Sequence, residues 1–335
     1  VRLALLNQHI HFHEVHVPEY PLFHYQPYEL ALSSKLVDTV LAHDIELLHV
    51  HYAIPHAYAG YMAQQMLREH GKNIPMVTTL HGTDITLVGQ HPFYKPAVQF
   101  SINQSNVVTS VSADLKKKTN ELFQLDKEIS VVPNFIDASK YVFPPSDCQR
   151  TLIAKDSERV ITHISNFRPV KCIPDVIEVF DRIQREIPAK LMMVGDGPER
   201  ENAERLCEEK RISDRVVFLG NSNEIDRILC FSDLFLLPSI SESFGLAALE
   251  AMINRTPVVS SDTGGIPEVN IHGVTGYLCS VGDVASMAKY SIDLLSDREL
   301  LEKFKAQAYA QALTFDIQKV VPQYEAVYAC AMASV

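Results

Sequence analysis

KLMMVGDGPERENAERLCEEKRISDRVVFLG, residues 190–220, decides the fold. It opens on a short apolar run, turns through Gly-Asp-Gly, continues as a helical stretch (ENAERLCEEKR) and closes on a second β-rich run (RVVFLG). Strand, helix, strand at this length is a crossover unit joining parallel strands. Its strands are nearly continuous in Val, Leu and Met rather than alternating, which predicts burial on both faces by covering helices.

The same rhythm runs outward in both directions. RVITHIS, LFLLPS, TPVVSSD and GYLCS alternate with VIEVFDRIQREI, GLAALEAMINR and VASMAKYSIDLLSD; earlier, HIHFHEVHV, IELLHVHY, PMVTTLHGTD, NVVTSVS and ISVVPNFID read as strands between helical runs. The fold class is therefore α/β, with two doubly wound domains facing a central cleft. A chain of 335 residues suits two domains of about 150 each. The break is expected at YVFPPSDCQR, giving domains 1–147 and 148–317. Ligands in such sheets bind beyond the carboxyl ends of the strands, so HYAIPH, HGTD, SNFRPVK, GDGPE, SISESFG and DTGGIPE are the loops to inspect.

Composition removes several functions. A formal charge of −11 argues against a broad basic face for nucleic acid. No apolar run reaches the roughly 18 residues of a membrane helix and no signal pattern opens the chain, so a cytoplasmic protein with no membrane partner is expected. Six scattered cysteines (Cys148, Cys172, Cys207, Cys230, Cys279, Cys330) read as reduced, mostly buried thiols. His9, His11 and His13 fall on one face of the expected first strand; without HExxH or a carboxylate partner they read as an exposed face, not a metal site.

SESFGLAALEAM, residues 241–252, places Glu242 and Glu250 eight positions apart in an apolar stretch. Ser241 or Ser243 is expected to cap a helix whose first turn holds Phe244, Gly245 and Leu246, separating the carboxylates by about 12 Å. That span matches an extended sugar nucleotide, and the N–H groups at the helix start would receive its anion. Taken alone, the pair reads more readily as a dipole partner and a solvated helix residue.

The pattern P-S-x-x-E-x-F-G-x-x-x-x-E-A-M from Pro238 to Met252 resembles the E-x7-E motif of retaining glycosyltransferases of family 4, which have the GT-B fold. HGTD (81–84), VVPNFID (131–137), SNFRPVK (165–171), VGDGPE (194–199) and DTGGIPEV (262–269) fit the family in order. Within it, QPYEL, HVHYAIPHA, VTTLHGTDIT and HISNFRPVK most resemble members that transfer N-acetylglucosamine from UDP-GlcNAc to L-malate in bacillithiol synthesis. The resemblance implies those two substrates, retention of the anomeric configuration, and no metal or other cofactor. Another small acceptor, or a UDP-GlcNAc 2-epimerase-like isomerase, stays open as the alternative.

The resemblance also implies roles. Glu250 would take the ribose hydroxyls; Glu242 would contact the transferred sugar; Phe244, Gly245 and Leu246 would offer backbone N–H groups; Asn166 and Gly195 would line the donor. Lys171 and Arg168 would stabilise the leaving diphosphate, although the family usually has arginine five positions before the lysine, where this chain has Asn166. Gly197 and Gly265 would give close turns. His81 would stand near the reacting centre, while Tyr52 and Thr79, with His51 nearby, and Lys95 would face the acceptor. The family's first strand, Gly-rich loop and helix have no counterpart here, and residues 318–335 resemble its last helix, which returns to the N-terminal domain. A homo-oligomer is compatible with the N-terminal helices.

Overall fold

The computed structural model describes residues 9–17, 19, 25–141, 148 and 150–335. By packing the chain forms two units: unit 1 comprises Val1–Ser110, Lys116–Ser130 and Glu325–Val335; unit 2 comprises Val111–Leu115 and Val131–Tyr324. The run VRLALLNQ and the prolines of YVFPP lie outside the described residues.

Unit 1 carries a four-stranded sheet in the order β1 (Leu48–His51), β2 (Met76–Leu80), β3 (Val107–Ser110), β4 (Ile129–Val131), with β1, β2 and β3 parallel. All five residues of β2 are buried, as its central place demands. Helices α1 (Tyr28–His43) and α2 (Tyr58–Glu69) close the β1 side, where Val37, Val40, Leu67 and Met76 share one core.

The expected strand HIHFHEVHV does not form. Beyond an isolated bridge at Ile10 the segment has no regular structure; Ile10 and Phe12 are about half exposed, so it lacks the buried face that would hold it in a sheet. His11 and His13 instead lie against His43, with ring centroids 5.7 and 5.1 Å away.

Unit 2 carries six parallel strands in the order β10-β9-β8-β5-β6-β7. They are β5 (Arg159–Ile164), β6 (Ala189–Val194), β7 (Val216–Gly220), β8 (Leu234–Leu237), β9 (Val258–Ser261) and β10 (Gly276–Cys279). The chain starts in the middle, winds outward to β7, then returns to the other side of β5. Residues 190–220 form β6, α6 (Arg200–Lys210) and β7, the crossover read from the sequence.

Helix α5 (Ile173–Glu186) shows why one face is covered. Pro174 suits its first turn, and Ile173, Val176, Ile177, Phe180 and Ile183 recur at helical spacing into a core with Ile161 and Leu191. In the same core lie α10 (Val284–Ser296) and α11 (Arg298–Ala312), which start under the side chains of Asp283 and Asp297, accepting from Ser286 and Leu300 N–H at 3.0 Å each. Helix α12 (Ile317–Met332) ends the chain, and its second half packs with unit 1.

The reading of the cysteines needs correction. Cys148 and Cys230 form a disulfide across 82 positions, a separation at which sequence spacing carries no signal. Cys207 and Cys279 are buried, Cys172 is half-buried and Cys330 is exposed. Among the described residues no helix is long and apolar enough to cross a membrane.

Candidate active site

In unit 2 the strand order reverses between β5 and β8, the place where ligands bind in doubly wound sheets. The β5 loop, SNFRPVK, ends in a short turn, Pro169–Lys171; the β8 loop carries Glu242. The Ile240 N–H donates to the Val170 carbonyl at 2.9 Å and ties the loops together. Across that seam Lys171 Nζ pairs with Glu242 Oε1, which also accepts from Ser239 Oγ at 2.9 Å. Both side chains are mostly buried, 20% and 14% exposed. An ammonium and a carboxylate are thus fixed side by side where a ligand would enter, each with hydrogen-bonding capacity left over.

Buried His163 sets the β5 loop. A carbonyl can only accept, so the contact with the Leu236 oxygen at 2.9 Å fixes Nδ1 as the donor, and Nε2 accepts from Ser165 Oγ at 2.8 Å. Ser165 Oγ in turn accepts from Phe167 N–H at 3.3 Å. Burial pushes this imidazole down to about 4, so it is neutral at physiological pH.

Gly195 sits against the same loop: with φ at +118°, a side chain there would place Cβ 1.7 Å from the Ser165 carbonyl oxygen. Gly197 is likewise packed on Asn166, whose side chain is exposed. Arg168 is exposed and makes no ion pair among the described residues, whereas Lys171 is engaged with Glu242.

The helix after Glu242 begins later than its sequence suggests. Helix α8 runs Leu246–Ile253 from Gly245, whose φ is +96°, and no side chain caps it. Neither Ser241 nor Ser243 is the cap, and Phe244 and Gly245 lie outside the first turn. The reason is that the loop backbone is committed elsewhere: Gly265 N–H donates to the Glu242 carbonyl at 3.0 Å, and Ser112 Oγ donates to the Ser243 carbonyl at 2.6 Å. The helical rise used to space Glu242 from Glu250 therefore does not apply over half that interval. Phe244 is buried with its ring edge-on to Phe315, and Leu246 is exposed. Glu250, inside α8, has its carboxyl pushed up to about 7, by burial first and by Asp226 second.

In unit 1 the loops after β1 and β2 bring histidines together. His51 Nδ1 and His81 Nε2 are 2.8 Å apart, and the Tyr52 and His81 ring centroids are 4.8 Å apart. A shared proton requires at least one of the two imidazoles to be neutral; burial pushes His51 down and His81 down to about 4. His49 is also pushed down to about 4 by burial, and is bonded to Tyr328 OH and Thr79 Oγ1 at 2.8 Å each. Thr79 is buried and also bonds Thr109 Oγ1 at 2.7 Å, so its hydroxyl braces His49.

Tyr52 has φ at +76°, a strained conformation for a bulky residue and one typical of functional loops. The strain is held in place by buried Asp84, which accepts from Ala53 N–H at 2.8 Å and Gly82 N–H at 2.9 Å and so clamps HYAIPH to HGTD. Lys95 stands apart: it opens α3 (Lys95–Gln104) with Nζ 5.9 Å from the Phe123 ring centroid, and no hydrogen bond joins it to the histidines among the described residues.

Sequence reasoning passed over His49, Asp84, Ser112, His163, Glu268 and Tyr328. Asp84 had a signal, as the polar end of HGTD after a glycine. Tyr328 had none, lying 279 positions from His49.

Two family models divide the chain between them: "Glycosyltransferase Family 4" matches residues 2–140 and "Glycosyl transferases group 1" residues 149–311. The chain belongs to this glycosyltransferase family, and its two Rossmann-like units are those of the GT-B class. It is 45% identical over 98% of its length to the N-acetyl-α-D-glucosaminyl L-malate synthase of Bacillus anthracis, of which it covers 86%. It is 29% identical over 88% of its length to a glycogen synthase of Mycobacterium tuberculosis, covering 69% of that protein. Among solved structures, HepE of Anabaena in complex with UDP and glucose superposes with a TM-score of 0.79 at 23% identity, covering 89% of this chain and 81% of that one. Sucrose-phosphate synthase from Thermosynechococcus elongatus gives 0.78 at 20%, covering 94% and 82%.

Proposed function

We propose that the protein transfers N-acetylglucosamine from UDP-GlcNAc to the hydroxyl of L-malate, the first step of bacillithiol synthesis, with retention at the anomeric carbon. The observation that carries this reading is the 45% identity over nearly the whole chain to the malate synthase of Bacillus anthracis. The Lys171–Glu242 pair at the switch point of unit 2 agrees with it.

On this reading Glu250 accepts the ribose hydroxyls, Glu242 the sugar hydroxyls, and Lys171 the charge that grows on the diphosphate, with Arg168 free to turn toward it. The bond from the anomeric carbon to the phosphate oxygen breaks, and one to the malate oxygen forms on the same face. The malate hydroxyl proton passes to the departing phosphate oxygen, so UDP leaves without an enzymic nucleophile or general base. The Glu242 carboxylate is already engaged with Lys171 and Ser239, which suits holding hydroxyls better than attacking carbon. His81 stands near the reacting centre in the proposal, with Tyr52 and His51 on the acceptor side. A metal-free reaction and a cytoplasmic setting are parts of the same proposal.

The test is UDP release from UDP-GlcNAc with and without L-malate, in the presence of a chelator. Malate-dependent release that survives chelation is expected, and Glu242→Gln is expected to lose at least about 100-fold in rate. Release indifferent to malate would overturn the acceptor and leave the donor half standing.

A further inference from the structure

Helix α4 (Ala113–Leu122) begins within the five residues, Val111–Leu115, that pack with unit 2. A helix start presents unsatisfied N–H groups and a positive dipole end, a natural seat for a ligand anion. Here the protein's own groups fill it. Glu268 Oε2 accepts from Ala113 N–H and Oε1 from Asp114 N–H, each at 3.0 Å, and Ser112 Oγ accepts from Leu115 N–H at 3.1 Å.

The plug reaches the donor loop through two short links. The Ser112 hydroxyl donates to the Ser243 carbonyl at 2.6 Å, one residue from Glu242. Gly265, three residues before Glu268, donates to the Glu242 carbonyl at 3.0 Å. Packing leaves no slack there, since a Cβ on Gly265 would lie 2.4 Å from the Ser243 oxygen and 2.9 Å from Ser112 Cβ. The two peptide carbonyls flanking the Glu242–Ser243 bond are therefore held from opposite partners, and both partners meet at the start of α4.

We propose that Ser112 and Glu268 are positioning residues for Glu242, setting its carboxylate relative to Lys171 through the backbone of Ser243. The proposal rests on the reading that Glu242 contacts the transferred sugar. Neither residue touches substrate in it. A carboxylate displaced by a fraction of an ångström loses its orientation toward the sugar, while UDP, held chiefly at Glu250, still binds.

The experiment uses the full chain and the variants S112A, E268Q and E268A. The readouts are kcat with UDP-GlcNAc and L-malate, UDP affinity by calorimetry, and hydrogen exchange of the Gly265 and Asp114 amides. Expected are a fall in kcat of about tenfold in S112A, a larger fall in E268A than in E268Q, and UDP affinity within about twofold of the parent. Gly265 should exchange faster in S112A, because the loop it is bonded to has lost its second anchor.

Unchanged kcat together with unchanged Gly265 exchange in S112A overturns the positioning role. Loss of UDP affinity in step with kcat also overturns it, marking general damage to unit 2. If the parent itself shows no malate-dependent turnover, the functional reading has failed instead, and the exchange result alone decides the positioning role.

Discussion

At physiological pH Glu250 stands near its own midpoint, because burial in α8 raises its carboxyl to about 7. On the proposed ribose role, only the ionised form offers both oxygens purely as acceptors to the two hydroxyls, so UDP affinity should rise with pH through about 7. The terminal phosphate of UDP titrates nearby, but it does so equally for a variant. The difference between the parent and Glu250→Gln in calorimetric titrations from pH 6 to 8.5 therefore isolates the carboxyl, and Gln should bind at least tenfold more weakly at the upper end. Stability runs the other way. A carboxyl raised from 4.5 to about 7 keeps its proton longer when folded, so its cost is absent below about 4.5, grows as pH rises and is complete above about 7. Glu250→Gln should unfold at a higher temperature than the parent at pH 8, by about 1–3 kcal/mol of added stability, and at the same temperature near pH 4.5. A stability gain with a binding loss at one position would mark a buried charge kept for a ligand.

The loops after β5, β6, β8 and β9 act as one element, fitted to each other through backbone atoms. Gly195 and Gly264 show how tightly: an added Cβ would stand 1.7 Å from the Ser165 and Glu242 carbonyl oxygens respectively, at φ of +118° and +61°. Gly195→Ala should destabilise unit 2 by about 2–4 kcal/mol and weaken UDP binding, read by thermal unfolding and titration together. This fitting also explains what was legible in the sequence. The crossover at 190–220 was readable because apolar runs and a helix of ordinary length are local patterns, and the loop place of Glu242 and the helical place of Glu250 were readable because one short segment carries both. The start of α8 was not, since the Ser243 and Glu242 carbonyls just before it are held by residues 112 and 265, far away in the sequence. HIHFHEVHV was misread because alternation on paper does not supply a neighbouring strand, and the Cys148–Cys230 bond joins positions whose proximity only the folded chain creates. His51 and His81 were seen singly, and His49 was passed over because its bonds to Thr79 and Tyr328 need β2 and α12 in place.

At the scale of the molecule, among the described residues, three imidazoles, His49, His81 and His163, fold as neutral groups with pKa values of about 4. Unfolded, each would take a proton near its usual 6.5, so the unfolded chain binds more protons between about 6.5 and 4 and stability falls as pH drops through that window. The fully buried His163 alone contributes up to about 3 kcal/mol of this loss. Glu250 opposes it over much of the same range but is one group against three. The unfolding temperature should thus decline steeply below pH 6.5, and His163→Gln, less stable at neutral pH, should show a shallower decline. The strand order of unit 2 has a further consequence during synthesis. Strands β5, β6 and β7 emerge first and can pair at once, yet one edge of β5 waits until residues 234–237 leave the ribosome. Nascent chains halted before that point carry an open parallel edge rich in Val and Ile, a surface that invites chaperones or other chains. Lys171 and Glu242 face each other over that seam, so their pairing can form only once β8 has docked on β5, before β9 and β10 extend the sheet.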